Sequence, residues 1–102
     1  MSTLHTVNKS PFERGSMASA FAHAVDGDAV LMIEDAVVGA RRTGAFAATL
    51  AESRKRLSIY ALGPDLAARG VRAEDVAEGV TIVGYDGFVD LAATHDRVCA
   101  WL

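Results

Sequence analysis

The run Ala29-Val30-Leu31-Met32-Ile33 constrains the fold of this chain more than any other segment. It is apolar without a break and is bounded by Asp26-Gly27 before it and Glu34-Asp35 after it. A strand with one wet face alternates apolar and polar residues. A strand that is apolar throughout is covered on both faces, as in a parallel sheet flanked by helices.

The neighbouring segments fit that scheme, because strand-like and helix-like pieces alternate along the whole chain. Thr3 to Val7 is short, apolar and partly β-branched, which suits a strand. Pro11 to Ala24 reads as a helix, with Met17, Ala20, Phe21, Ala24 and Val25 on one face. Ser10 is placed to cap it, Pro11 suits its first position, and Glu13 completes a capping box worth about 1 kcal/mol. A short helical piece over 36–41 leads into a helix over 45–56 and a strand over 57–62. Asp65 is the expected cap of a short helix stopped by Gly70, and a helical turn is expected over 73–78. Val80 to Val83 is a strand, Asp86 is the expected cap of a helix over 88–95, and 97–102 is a fifth strand or an apolar tail. The alternation predicts one α/β domain over 1–102, an open and mostly parallel sheet with helices on both faces and right-handed crossovers.

Bulk properties narrow the function classes. A net charge of −3 argues against a nucleic-acid binder that relies on overall charge. The one dense basic run, Arg54-Lys55-Arg56, falls where cations complement the end of the predicted helix, with a local RNA-facing patch as the alternative. The single cysteine, Cys99, rules out an intramolecular disulfide and fits a reducing compartment. No signal peptide is evident, and no apolar run approaches the roughly 18 residues of a membrane span, so a cytoplasmic protein is expected. The hydrophobic share of 51% is at or slightly above the ordinary range, and in so small a domain some of these residues are expected at the surface, where a subunit interface is one use for them.

In a parallel sheet the strand-to-helix turns gather at the carboxyl edge. Here those turns hold Asn8, Lys9 and Ser10, then Glu34 and Asp35, then Asp65, then Tyr85 and Asp86, which makes this rim the expected ligand- or partner-facing surface. Turns and caps call for these residue types in any case. Lys9-Ser10 at a helix start could hold an anion or a nucleotide phosphate, but it lacks the glycines of a phosphate-wrapping loop. His5, His23 and His95 are too scattered for a metal site, and no cofactor is implied. Cys99 is the one sulfur nucleophile, with Arg97 two residues away, and a packed inert thiol is the plainer reading.

Several segments together resemble a known family. They are Leu4-His5-Thr6-Val7-Asn8-Lys9-Ser10-Pro11-Phe12-Glu13-Arg14, Gly27-Asp28-Ala29-Val30-Leu31 with Ile33-Glu34-Asp35, Tyr60-Ala61-Leu62-Gly63-Pro64-Asp65-Leu66-Ala67-Ala68-Arg69-Gly70, Tyr85-Asp86-Gly87-Phe88-Val89-Asp90-Leu91 and the closing Ala100-Trp101. The chain resembles the DsrH/TusB family, the small subunit of the DsrEFH and TusBCD sulfurtransferase complexes, nearly end to end. The opening run is closer to the DsrH branch. The resemblance implies a DsrE-like fold and a hexamer with DsrE/TusD-like and DsrF/TusC-like subunits. It also implies persulfide sulfur passed to a DsrC/TusE-like carrier. The sulfur would serve wobble-uridine thiolation of tRNA, which this subunit would meet only indirectly, or dissimilatory sulfur oxidation. Sulfur-oxidiser members of this kind carry a cysteine in the first helix, ten residues after the serine of the opening motif. That position here is Ala20, which cannot hold a persulfide. The expectation is therefore a non-catalytic subunit. Sulfur carriage by Cys99 and a small anion- or nucleotide-binding domain are the alternatives.

Overall fold

The computed structural model describes residues 2–102. Five strands, β1 (Thr3–Val7), β2 (Ala29–Met32), β3 (Ser58–Leu62), β4 (Val80–Val83) and β5 (Arg97–Trp101), form one sheet in the order β4-β3-β2-β1-β5. Every pairing is parallel. The helices are α1 (Ser16–His23), α2 (Ala47–Ser53), α3 (Gly63–Ala68) and α4 (Tyr85–Thr94), with 3₁₀ turns at Glu34–Ala40 and Ala73–Asp75.

The order explains the layers. From β1 to β4 the chain steps one strand at a time in a single direction, so right-handed crossovers put α1, α2 and α3 on one face. The return from β4 to β5 crosses the whole sheet and puts α4 on the other. The core divides accordingly. Val7, Met17, Ala20, Phe21, Val30, Met32, Val37, Leu50, Ile59 and Leu66 pack in one cluster. Leu4, Ala29, Leu31 and Leu91 form the other, with Tyr60 and Phe88 against it. All four residues of β2 are buried, alternating between the two clusters, as its unbroken apolarity requires.

The first helix starts later than its cap signals indicate. The Ser10 hydroxyl does accept the N–H of Phe12 at 3.1 Å, and the Ser10 carbonyl accepts those of Glu13 and Arg14. These bonds close one turn and stop. The helix begins at Ser16 behind Gly15, with no side-chain cap, and Glu13 makes no capping box. Packing accounts for the break. A side chain at Gly39 would meet Pro11 Cγ at 2.9 Å and Met17 Cε at 3.2 Å, so Pro11 is seated against the bare backbone of the 3₁₀ turn while Met17 enters the core. Val25 lies beyond the helix end and is exposed.

Two other expected caps are also different. Asp65 lies inside the first turn of α3, behind Leu62 as cap residue, and Asp86 lies inside the first turn of α4, behind Gly84; neither makes a side-chain cap. The basic run does not close α2, which ends at Ser53. Arg56 instead donates to the carbonyls of Ala24 (2.7 Å) and Phe21 (3.0 Å) at the carboxyl end of α1. Lys55 pairs with Glu52 at 3.1 Å, and Arg54 turns towards Glu78 at 4.0 Å. The cations serve three different elements. No helix among the described residues is long and apolar enough to cross a membrane.

Candidate functional site

The parallel sheet gathers the four turns at its carboxyl edge, but only part of that rim is connected. The Asp65 carboxylate accepts the backbone N–H of Glu34 at 2.7 Å. Arg69 reaches Asp35 at 2.9 Å and Asp65 at 3.9 Å, which joins the turns after β2 and β3 into one charged network. Glu34 has φ 50°, a left-handed conformation that a non-glycine residue adopts at a cost, and the Asp65 bond holds it there. Among the described residues, no side-chain hydrogen bond or ion pair joins Asn8, Lys9 or Ser10 to this network, nor Tyr85 or Asp86. Asn8 Oδ1 is buried without a partner. With the helix beginning only at Ser16, Lys9-Ser10 does not stand at the N-terminus of α1, the place on which the alternative anion-binding reading rested.

The densest polar cluster is at the other end of the sheet. Asp28, 3% exposed, stands just before β2 and accepts three hydrogen bonds: from Thr3 N (3.0 Å), Val25 N (3.1 Å) and His5 Nε2 (3.0 Å). Burial raises the Asp28 carboxyl, but the bonds from His5, Val25 and Thr3 together outweigh it and hold the group below the usual carboxylate range. On the far side of the imidazole, Trp101 Nε1 donates to His5 Nδ1 at 3.0 Å. An indole nitrogen only donates, so Nδ1 is the accepting nitrogen and Nε2 carries the proton that faces Asp28. His23 closes on Trp101 from the end of α1, with ring centroids 5.4 Å apart, and its Nδ1 bonds to the Ser19 carbonyl.

This network floors a cavity of about 380 Å³ also lined by His23, Arg97 and Cys99. Cys99 is exposed and in register with His5 on the neighbouring strand. Asp28 is the residue the sequence reading passed over. Its one local signal is its place directly before the two-faced strand, where a buried carboxylate needs donors that the sequence does not reveal.

Ala20 is fully buried between α1 and the sheet. Its methyl group is core, not surface. Tyr85 and Val89, one turn apart on α4, are 61% and 66% exposed, and Val98 on the edge strand β5 is also exposed.

Comparison with known proteins agrees with the fold and names the family. The chain has the same fold as the YchN protein of Escherichia coli, with TM-score 0.78 at 14% identity over 99% of this chain and 100% of that one. It also shares the fold of MTH1491 of Methanobacterium thermoautotrophicum, with TM-score 0.75 at 16% identity over 97% and 96%. Protein TusB of Pectobacterium atrosepticum is 33% identical over 98 residues, 96% of this chain and 99% of that protein. TusB of Erwinia tasmaniensis is 34% identical and TusB of Escherichia coli 29% identical over the same extents. The family model described as DsrH like protein matches residues 9–98. The near full-length match and the α/β fold leave one assignment: this chain belongs to the DsrH/TusB family.

Proposed function

We propose that the chain is a non-catalytic subunit of a cytoplasmic sulfur-relay complex, in which a DsrE/TusD-like partner carries the persulfide. It would assemble with that partner and a DsrF/TusC-like subunit as a hexamer and deliver sulfur to a DsrC/TusE-like carrier. The destination is tRNA thiolation or dissimilatory sulfur oxidation. The observation that supports the reading is the burial of Ala20: where the resemblance implies a sulfur-bearing cysteine, this chain has a methyl group in the core. The exposed pair Tyr85 and Val89 on α4 supports a docked partner, because a small domain seldom leaves two large apolar side chains adjacent in water. The carboxyl rim, with Asn8, Lys9, Ser10, Glu34, Asp35, Asp65, Tyr85 and Asp86, is the surface we assign to partners. Co-expression with the neighbouring reading frames, followed by native mass determination, tests this. A stable complex with two related subunits is expected, and a chain that purifies alone and monomeric overturns the proposal.

One observation favours a second reading, in which the chain itself carries sulfur. Cys99 is exposed on a cavity wall with Arg97 on the same side of the strand. Its thiolate would attack the outer sulfur of a donor persulfide. The donor S–S bond breaks, the donor leaves as a thiolate, and Cys99 becomes the persulfide with no net oxidation. Mass spectrometry after treatment with a persulfide donor decides: a gain of one sulfur that is lost in Cys99→Ser supports it, and no gain removes it.

A further inference from the structure

A cavity of about 400 Å³ lies between α2 and the segment that leads into β4. Its walls carry Arg42 and Arg54, and its floor is apolar, formed by Ala47, Ala51, Val76 and Ala77. Neither the rim reading nor the sulfur reading uses this place.

Both arginines are anchored by backbone structure. The Arg42 N–H donates to the Asp75 carbonyl at 2.9 Å, Ala77 N–H donates to the Ala40 carbonyl at 2.7 Å, and Arg41 bridges Val76 in antiparallel fashion. The two walls are therefore tied together beside the guanidinium. Arg54 leaves the end of α2 and lies over Gly79, where a Cβ would come within 2.7 Å of Nη1. Gly79 has φ +90°, a conformation that favours glycine.

These arginines are exposed and have few protein partners. The Arg42 side chain makes no hydrogen bond or ion pair among the described residues. Arg54 has one partner, Glu78 at 4.0 Å, and that side chain is 92% exposed. The acidic residue nearest in sequence on the facing wall, Asp75, is paired with Arg72 at 3.2 Å. The lining thus holds two guanidiniums against one exposed carboxylate, above an apolar floor and in a volume within the small-molecule range. Guanidiniums recognise phosphate oxygens through paired N–H groups.

We propose that this cavity binds a small phosphate monoester, with the phosphate held by Arg42 and Arg54 and an apolar body laid on Ala47, Ala51, Val76 and Ala77. The site is independent of the subunit reading and stands or falls separately. Calorimetry on the full chain with AMP, inorganic phosphate and adenosine tests it. AMP binds, and adenosine binds at least about tenfold more weakly, because a lost charged hydrogen bond has that effect. Arg42→Gln and Arg54→Gln each weaken AMP by about tenfold, with Trp101 fluorescence unchanged to show that the fold persists. Arg14→Gln, which removes the same charge outside the cavity, leaves AMP binding unaltered. The proposal is overturned by no AMP binding at millimolar concentration, by equal binding of adenosine, or by an equal loss in Arg14→Gln.

Discussion

Trp101 and His5 are 96 residues apart in sequence and joined by one hydrogen bond, from the indole N–H to Nδ1 at 3.0 Å. That bond ties the last strand to the first and assigns the proton of His5 to Nε2, where it meets Asp28. Nitrogen-15 NMR should place the His5 ring in the Nε2–H form, and a protonated Nδ1 would contradict the assignment. Trp101→Phe removes the donor and keeps most of the packing. It should cost about 1–2 kcal/mol in urea unfolding and release the tautomer preference.

Asp28 makes stability depend on pH at the acid end. Its carboxyl titrates lower in the folded chain than in the unfolded chain, where the ordinary value is about 3.9. The folded state therefore binds fewer protons. This contribution is present in full above about pH 4 and is lost as pH falls through the folded value. Urea midpoints should drop on acidification, and Asp28→Asn should flatten that drop. Asp28→Ala, which strands the His5 Nε2–H and two backbone N–H groups, should cost about 3 kcal/mol at neutral pH.

The burial of Ala20 predicts an inaccessible thiol. In a Cys99→Ser background, Ala20→Cys should fail to react with Ellman's reagent until the protein is denatured, and the larger side chain should destabilise by about 1 kcal/mol. Wild-type Cys99 should react at once, since it is exposed. Rapid labelling at position 20 in the folded protein would show that the core opens around α1.

Glu34 offers a test of backbone strain. Its φ of 50° is a conformation glycine adopts freely. Glu34→Gly keeps the backbone N–H that Asp65 accepts. The substitution should raise stability by about 1 kcal/mol, read as a higher thermal midpoint. A lower midpoint would mean that the glutamate side chain contributes more than the strain removes.

Much of the architecture was legible in the chain because its signals are local. The unbroken apolarity of Ala29–Ile33 required a strand covered on both faces, and both core clusters draw on it. The first four strands lie within a residue or so of where composition and turn residues put them, and the last segment, legible only as a strand or an apolar tail, is β5. Helix starts were less legible. Ser10, Pro11 and Glu13 have the right chemistry for a cap, yet the seat that Gly39 offers Pro11 stops the turn, and Gly39 is 28 residues away.

By itself, then, the sequence determined the alternation of elements and the parallel sheet, since periodicity and turn residues are properties of neighbours along the chain, and its resemblance to the family agrees with the family match. Tertiary structure alone decided which strand lies beside β1. The crossover from β4 carries β5 to the far edge, and only there do Trp101, His5 and Asp28 meet and Cys99 come level with His5. A buried carboxylate and an imidazole with a chosen tautomer need donors and acceptors from three separate segments. The pairing of segments distant in sequence is set by how the whole sheet closes its core, which no local pattern records.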